Sequence, residues 1–287
     1  MVDIIHGATG AQGSPVLSAL TTAGRTAIAA VRHPEAVPDG IAARQVDLAS
    51  ADSLASAYEG ADGVFVHLPM GAPETAAAQA RAVVEAVTRA RPGRVVISTS
   101  GQIVDRPDSP LQATAGSPIM TLIDGVTGSG IPTAVVAPRL YLENLLLPVV
   151  LAPAHQEGVL RYPLPASFPV SWSSHLDVAD VVTRLLMDTS VSGTVAVGHR
   201  PGLTGVDLAA AFSNHLSREV HFEAITPEAF GGLITPLFGP AAAPVVELYR
   251  ALNAQDGCII AEDSSAQELL GLRPRPIEQW LKDLAVS

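Results

Sequence analysis

Three glycines near the start of the chain have the spacing of a phosphate-binding turn. Gly7, Gly10 and Gly13 stand in the run GATGAQG, between an apolar stretch and a segment with helical periodicity. Glycine reaches positive φ and lets an anion approach the backbone, and the helix that follows offers free N–H groups and the positive end of its dipole. The run is wider than the GxGxxG fingerprint and could be a plain loop, but its position favours a bound dinucleotide. We expect that dinucleotide to contact the three glycines together with Thr9 and Gln12.

The end of the second predicted strand distinguishes NAD from NADP. That strand, Thr26–Val31, runs into Arg32 and His33. In a doubly wound fold a carboxylate at this position accepts a hydrogen bond from the ribose of NAD, whereas an arginine pairs with the 2′-phosphate of NADP. Since the carboxylate is absent and Arg32 is present, the sequence predicts NADPH as the cofactor. A solvated surface arginine is the alternative interpretation.

Three side chains are candidates for the chemistry itself. Tyr141 follows the sixth predicted strand and is the best-placed proton donor, with a half-buried packing role as an equal alternative. His67 ends the fourth predicted strand and would either line the nicotinamide side of the site or pack against the cofactor. Ser100, with backbone amides, could stabilise a developing oxyanion. His175 opens a predicted helix, where we expect it to cap the helix or to satisfy the core.

Alternating strands and helices must position these groups. Strands are predicted from Val2, at Thr26–Val31, at residues 43–46, at Gly63–His67, at residues 94–97 and at residues 132–137, with helices between them. Ser50 is the predicted N-cap of the helix that follows the third strand. This alternation predicts right-handed βαβ units, and therefore an α/β fold with a doubly wound parallel sheet of the Rossmann type. Ligands bind beyond the carboxyl ends of such strands. The residues expected to contact the cofactor there, besides the glycine run, are Arg32, Asp47, Leu48, His67, Leu68, Pro69 and Ser98.

The regular alternation stops after residue 144. Prolines break residues 148–169 into short pieces, and apolar or aromatic side chains are frequent there: Leu151, Leu160, Tyr162, Phe168 and Trp172. We predict an NADP-binding Rossmann domain at residues 1–144, completed by residues 175–200, and a mainly substrate-binding lobe at residues 145–287. The composition of the lobe favours a small aromatic or apolar substrate over a sugar or an acid.

Composition argues against several classes of protein. The 287 residues are 48% hydrophobic, which supports a large core, and a net charge of −11 with Lys282 as the single lysine argues against a nucleic-acid surface. The single cysteine, Cys258, excludes an intrachain disulfide and has no metal-ligand spacing around it. Residues 145–152, the most apolar run, are too few to cross a bilayer, and we expect no signal peptide before the strand that starts at Val2. We expect a cytoplasmic monomer or homodimer that binds no metal, membrane or nucleic acid.

In their order and spacing these pieces resemble the NmrA-like family, an atypical branch of the short-chain dehydrogenases/reductases. The resemblance covers nearly the whole chain and rests on GATGAQG at 7–13, RHP at 32–34, VDL at 46–48, SGIP at 129–132, PRLYLEN at 138–144 and HLDVADVV at 175–182. It implies a Rossmann domain that binds NADPH and a small C-terminal lobe that shapes a substrate pocket.

The sequence departs from the resemblance at the catalytic pair. The wider superfamily uses a Tyr-x-x-x-Lys pair, in which the tyrosine donates a proton and the lysine lowers its pKa. None of the four tyrosines here, Tyr58, Tyr141, Tyr162 and Tyr249, has a lysine four residues later. The resemblance also implies a lysine on the helix before the SGIP segment in many enzymatic relatives, and that region has none.

The sequence therefore predicts an NADPH-dependent oxidoreductase that reduces a quinone, enone or carbonyl of a small aromatic or apolar substrate without that relay. Quinones and enones need little acid assistance, because the oxygen that receives charge stabilises it well. Two alternatives stay open. One is a non-catalytic NADP(H)-binding sensor that regulates a protein partner, and the other is a redox-neutral enzyme in a reductase-derived pocket.

Overall fold

A seven-stranded parallel sheet forms the centre of the computed structural model, which describes residues 1–286. The strands are β1 (Val2–His6), β2 (Thr26–Val31), β3 (Ala43–Gln45), β4 (Gly63–His67), β5 (Val95–Ser98), β6 (Thr133–Pro138), β7 (Val159–Tyr162), β8 (Gly193–Val197) and β9 (His221–Ala224). The central sheet has the order β3-β2-β1-β4-β5-β6-β8, and β7 pairs with β9 in a separate two-stranded sheet. The predicted doubly wound parallel sheet is confirmed.

Helices cover both faces of this sheet. The α-helices of the described residues are α1 (Gly13–Thr22), α2 (Ala51–Tyr58), α3 (Pro73–Ala90), α4 (Pro118–Gly128), α5 (Pro148–Gln156), α6 (His175–Met187), α7 (Gly205–Leu216), α8 (Pro227–Phe238), α9 (Ala242–Asn253), α10 (Ala266–Leu270) and α11 (Ile277–Asp283), and only some of them lie on the sheet. The core on one face takes its side chains from α2, α3 and α4, and the core on the other takes them from α1 and α6.

Strand β1 illustrates why these sequences form buried parallel strands. Side chains alternate between the two faces of a strand, so successive apolar residues are buried only if both faces are covered. Ile4 packs with the helices of one face and Ile5 with those of the other, and both are fully buried. A continuous apolar run is therefore the expected pattern for a central strand.

Local capping fixes two helix starts beside the carboxyl edge of the sheet. The Ser50 side chain accepts a hydrogen bond from the backbone of Ser53, which confirms the N-cap predicted for α2. Ser174 and Asp177 form a reciprocal capping box at the start of α6. Ser174 is thus the cap, so of the two roles predicted for His175, capping the helix or satisfying the core, the capping role is wrong. His175 occupies the first position of the helix.

A third hydrophobic cluster lies in the C-terminal half of the chain. It centres on four aromatic rings, Tyr162, Trp172, Phe230 and Tyr249, whose centroids lie 5.5 to 5.7 Å apart where they pair. The cluster also includes residues that precede position 145, among them Leu140 and Leu142. The division at residue 144 therefore stays a prediction, and the last residue of the predicted lobe, Ser287, lies outside the described residues.

Helices α8 and α9 form an apolar hairpin at the edge of this cluster. Their combined segment, Pro227–Asn253, is long and apolar enough to cross a membrane by length and composition, with a mean hydropathy of 1.5 in its most apolar window. The chain turns at Gly239, where φ is 55°. This turn separates α8 from α9, which have 12 residues each. Twelve helical residues span about 18 Å, less than the ~30 Å of a bilayer core. The expectation that no segment crosses a membrane stays a prediction.

Candidate active site

The glycine run forms a tight turn between β1 and α1. The Gly10 amide donates to the Gly7 carbonyl at 2.8 Å, and Gly7 has a φ of 60°. A Cβ on Gly13 would collide with the Gly7 carbonyl oxygen, and a Cβ on Gly7 would lie 2.5 Å from Nε2 of His67. Thr9 is exposed within the turn. The turn therefore requires glycine at two positions and leaves its outer side open to an anion.

Arg32 lies directly after β2, the second strand from one edge of the central sheet. Its side chain is exposed, and no described residue forms a hydrogen bond or ion pair with its guanidinium group. Asp47 is also exposed and follows β3, where its carboxylate accepts from the Ala49 amide at 2.9 Å. Leu48, next to it, is half-buried. Arg32 is thus available to pair with a phosphate.

Gln12 ties the glycine turn to the end of β5. Its side-chain amide donates to Oγ of Ser100 at 2.9 Å, and its carbonyl oxygen accepts from Oγ of Ser98 at 2.8 Å. Ser98 is fully buried, whereas Ser100 is half-buried and has a φ of 54°. Positive φ is unfavourable for a residue with a Cβ, so the surrounding contacts must hold Ser100 in this conformation.

A cavity of about 700 Å³ begins at this turn and continues to helices α8 and α9. At its sheet end it is lined by Gln12, His67, Leu68, Pro69, Ser100 and Tyr141. At its lobe end the lining is mainly apolar and comes from α8 and α9, with Phe230, Ile234, Val245 and Leu252 among the contributors. The six predicted site residues at the sheet end therefore share one cavity with an apolar chamber.

Tyr141 and His175 stand side by side in this cavity. Their ring centroids are 4.4 Å apart, and both residues line the cavity. The Tyr141 hydroxyl is buried and has no hydrogen-bond partner among the described residues. Burial raises the pKa of Tyr141, and burial lowers the pKa of His175 to about 4, with a smaller contribution from His67. Both side chains are therefore uncharged near neutral pH.

His67 connects the glycine turn with the cavity. Its Nε2 atom is buried without a hydrogen-bond partner among the described residues, and burial lowers the pKa of the ring. Behind it, His6 forms a 2.7 Å hydrogen bond with the Tyr58 hydroxyl, and burial lowers the pKa of His6 to about 3. Two neutral imidazole rings, those of His6 and His67, therefore lie next to the glycine turn, and His67 lines the cavity.

Glu143 lies behind His175, away from the cavity. Its Oε1 atom accepts from the backbone amide of His175 at 3.0 Å and from the indole N–H of Trp280 at 3.2 Å. Burial raises the pKa of the Glu143 carboxyl group. These contacts fix the start of α6 against α11, and so fix the position of the His175 ring.

A buried ion pair closes the opposite wall. One guanidinium nitrogen of Arg139 lies 2.9 Å from each carboxylate oxygen of Asp105, and the Arg139 side chain is 1% exposed. Asp105 belongs to the loop at residues 102–116, which also contributes Ile103, Leu111 and Ala113 to the cavity lining. The ion pair therefore holds this loop against the end of β6.

Sequence and fold comparisons now place the chain among known proteins. Residues 3–281 match the NmrA-like family. The chain belongs to the NmrA-like family. A relative from Streptomyces griseus, named (4-alkanoyl-5-oxo-2,5-dihydrofuran-3-yl)methyl phosphate reductase, is 28% identical over 282 residues, covering 96% of this chain and 95% of the relative.

Two solved structures share the fold of this NmrA-like protein. The NADP(H) complex of a triphenylmethane reductase from Citrobacter sp. has a TM-score of 0.80 at 19% identity and covers 98% of this chain and 99% of its own. The NADPH complex of an NADPH-dependent quinone oxidoreductase from Escherichia coli has a TM-score of 0.77 at 18% identity and covers 99% of this chain and 100% of its own. Both likenesses confirm the Rossmann-type fold.

The structure separates the predicted site residues of this NmrA-like protein into two groups. The glycine turn and the six cavity residues meet at the carboxyl edge of the sheet, whereas Arg32, Asp47 and Leu48 lie along that edge beyond the turn. Sequence analysis missed His175 and Arg139 as parts of the cavity lining, and it missed the pairing of Arg139 with Asp105. The sequence feature that could have indicated His175 is the capping residue Ser174 directly before it. Because Ser174 caps the helix, the His175 side chain is free to face the site.

Proposed function

We propose that the chain is an NADPH-dependent reductase of a small, apolar conjugated carbonyl compound such as a quinone or an enone. The observation that supports this most directly is the continuity of the cavity, which joins the glycine turn at Gln12 to the apolar walls of α8 and α9. A cofactor bound at the turn and an apolar molecule in the lobe would therefore meet in one space. The outer walls of that space are supplied by the lobe.

The chain has suitable groups for each part of NADPH. The glycine turn and the start of α1 offer backbone amides to the pyrophosphate. A side chain at position 13 would collide with the backbone of Gly7. The unpaired guanidinium of Arg32 fits the 2′-phosphate. Asp47 and Leu48 lie on the adenosine side, and His67, Leu68, Pro69 and Ser98 lie towards the nicotinamide side. When bound, NADPH supplies a hydride.

Tyr141 is the proposed proton donor. Its hydroxyl is buried, unpartnered among the described residues, and part of the cavity lining. Because its pKa is raised by burial, Tyr141 carries its proton at neutral pH and can donate a hydrogen bond to a substrate oxygen that gains charge. Ser100 and His67 are the other groups proposed to contact the reacting part of the substrate.

The proposed substrate class rests on the absence of a lysine partner for Tyr141. No lysine stands four residues after it, and the single lysine, Lys282, is exposed on α11. An acceptor whose charge is delocalised needs less proton transfer than an isolated ketone. The name of the Streptomyces relative describes such an acceptor, since its ring double bond is conjugated with a ring carbonyl and an alkanoyl group. The two structural relatives are also named as reductases.

The test is steady-state oxidation of NADPH, followed by absorbance, with a panel of quinones, enones and simple ketones. We expect turnover with the conjugated acceptors and little with the ketones. Binding of NADPH is measured separately by titration calorimetry. Tight binding of NADPH without turnover on any acceptor would contradict the reductase proposal and favour the alternative of an NADP(H)-binding regulator, for which the missing Tyr-x-x-x-Lys relay is the supporting observation.

A further inference from the structure

The cavity lining contains almost no charge, although the whole chain carries a net charge of −11. Among the described residues that line the cavity there is no aspartate, glutamate or lysine, and there is one arginine, Arg139. A charge buried in such a cavity would lose its hydration and would need a partner from the protein. The charge state of Arg139 and of its surroundings therefore decides which ligands the cavity can accept.

Arg139 is already neutralised by the protein itself. Its guanidinium is in contact with both carboxylate oxygens of Asp105, at 2.9 Å each, and the two side chains are 1% and 10% exposed. A buried ion pair of this geometry is expensive to separate, because removing either partner leaves an uncompensated charge. Arg139 therefore cannot pair with a ligand anion unless its ion pair with Asp105 is broken.

The titratable side chains in the lining do not supply a charge either. Burial lowers the pKa values of His67 and His175, which keeps both imidazole rings neutral near pH 7. Burial raises the pKa values of Tyr141, Tyr249 and Cys258, so these groups stay protonated. The cavity thus offers hydrogen-bond donors but no unpaired cation.

These contacts bear on the Streptomyces relative, whose named substrate carries a phosphate. We propose that this chain differs from that relative by acting on an uncharged conjugated carbonyl compound, one without a phosphate or carboxylate, because the Asp105–Arg139 pair removes the one cation of the cavity. This rests on the proposed reductase function and specifies its substrate class. Asp105 then acts as a specificity-determining residue.

A matched pair of ligands tests this proposal. The probes are a 4-alkanoyl-3-(hydroxymethyl)-2,5-dihydrofuran-5-one and its phosphate ester, which differ by the phosphate alone. We expect the protein loaded with NADPH to bind and reduce the hydroxymethyl compound at least about tenfold better than the ester, since the ester must bury an unpaired charge. Equal efficiency, or a preference for the ester, would overturn the proposal while leaving the reductase function intact.

The Asp105→Asn variant gives the opposite expectation. Without the carboxylate, Arg139 becomes an unpaired cation in the cavity, so the variant should gain affinity for the phosphate ester, measured by calorimetry. The double variant Asp105→Asn with Arg139→Gln is the matched control and should return to the preference of the wild type. A folded Asp105→Asn protein without any gain would contradict the role given to the ion pair.

Calorimetry on the wild type needs no variant, so the proposal stays testable if the variants fail to fold. If NADPH binds but neither furanone nor any quinone or enone binds or is reduced, both the reductase function and the proposed substrate class are wrong. If the quinones and enones are reduced and the two furanones are treated alike, only the inference about charge is wrong.

Discussion

The rings of Tyr141 and His175 lie 4.4 Å apart, centroid to centroid, at an angle of 49°. Tyr141 follows β6 and His175 begins α6, and the bridge between Tyr141 and Ser173 joins the two segments. This contact places a neutral phenol and a neutral imidazole beside each other at the sheet end of the cavity. If the proposed function is correct, the polar end of the substrate meets this pair.

Replacing Tyr141 should separate the acceptor classes. We expect Tyr141→Phe to lower kcat on enones by about a hundredfold, the usual contribution of a positioned proton donor, and to lower kcat on quinones much less. Stopped-flow or steady-state NADPH oxidation with both classes measures the difference. Tyr162→Phe, which changes a tyrosine outside the cavity lining, is the control. An unchanged kcat on enones in Tyr141→Phe would show that Tyr141 is not the proton donor.

Arg32→Glu should weaken NADPH far more than NADH. The substitution replaces a cation with a carboxylate that repels the 2′-phosphate and accepts from a 2′-hydroxyl group. Calorimetric titration with both nucleotides gives the ratio of the two dissociation constants. Arg81→Glu, at an exposed position of α3, makes the same change of charge elsewhere. An equal loss for both nucleotides would show that Arg32 does not contact the phosphate.

Two alanine substitutions in the glycine turn should behave differently. Gly7→Ala imposes a φ of 60° on alanine, a cost of about 1–2 kcal/mol, and adds a contact with the His67 ring. Because that ring is a side chain, His67→Ala in the same molecule should recover part of the loss in urea unfolding. In Gly13→Ala the new Cβ meets the backbone of Gly7, so His67→Ala should give no such recovery. Equal recovery in both would contradict this geometry.

The stability of the fold should decline between pH 6.5 and pH 4. The pKa values of His6 and His175 in the folded protein are about 3 and about 4, below the value of 6.5 in the unfolded chain. The unfolded chain therefore binds more protons in this range, and the free energy of unfolding falls as the pH is lowered. Each histidine contributes a slope of about 1.4 kcal/mol per pH unit.

Urea unfolding at several pH values measures that slope. His175→Gln should make it shallower, because one of the buried histidines with a lowered pKa is removed. His33→Gln, at an exposed position, is the matched control and should leave it as in the wild type. A slope that is the same in all three proteins would mean that burial of His175 costs no stability at low pH.

The sheet and the glycine turn after β1 could be predicted from sequence because their causes are local. Apolar runs such as that around Ile4 and Ile5 specify buried strands, and Gly13 is required by the backbone of the turn itself. The alternation of strands and helices then predicts right-handed βαβ units and therefore a parallel sheet. The same local reasoning located the capping residue Ser50 and placed Tyr141 just beyond the sixth strand.

The surroundings of the cavity could not be predicted in this way. Arg139 and Asp105 are 34 positions apart in the sequence and pair because the loop at residues 102–116 folds back against β6. The direction in which His175 points depends on Ser174, on Glu143 and on Trp280 from the last helix. Hydrophobic periodicity in the sequence does not indicate such long-range contacts.

The sequence by itself therefore determined the type of sheet, the glycine turn after β1 and the presence of Arg32 at the end of β2. Each of these depends on the conformational preferences and charge of neighbouring residues in the chain. Only the tertiary structure decided which polar side chains enter the cavity and which are neutralised before a ligand arrives. The reason is physical: burial and pairing of charges depend on what packs nearby in space, and those partners come from distant segments.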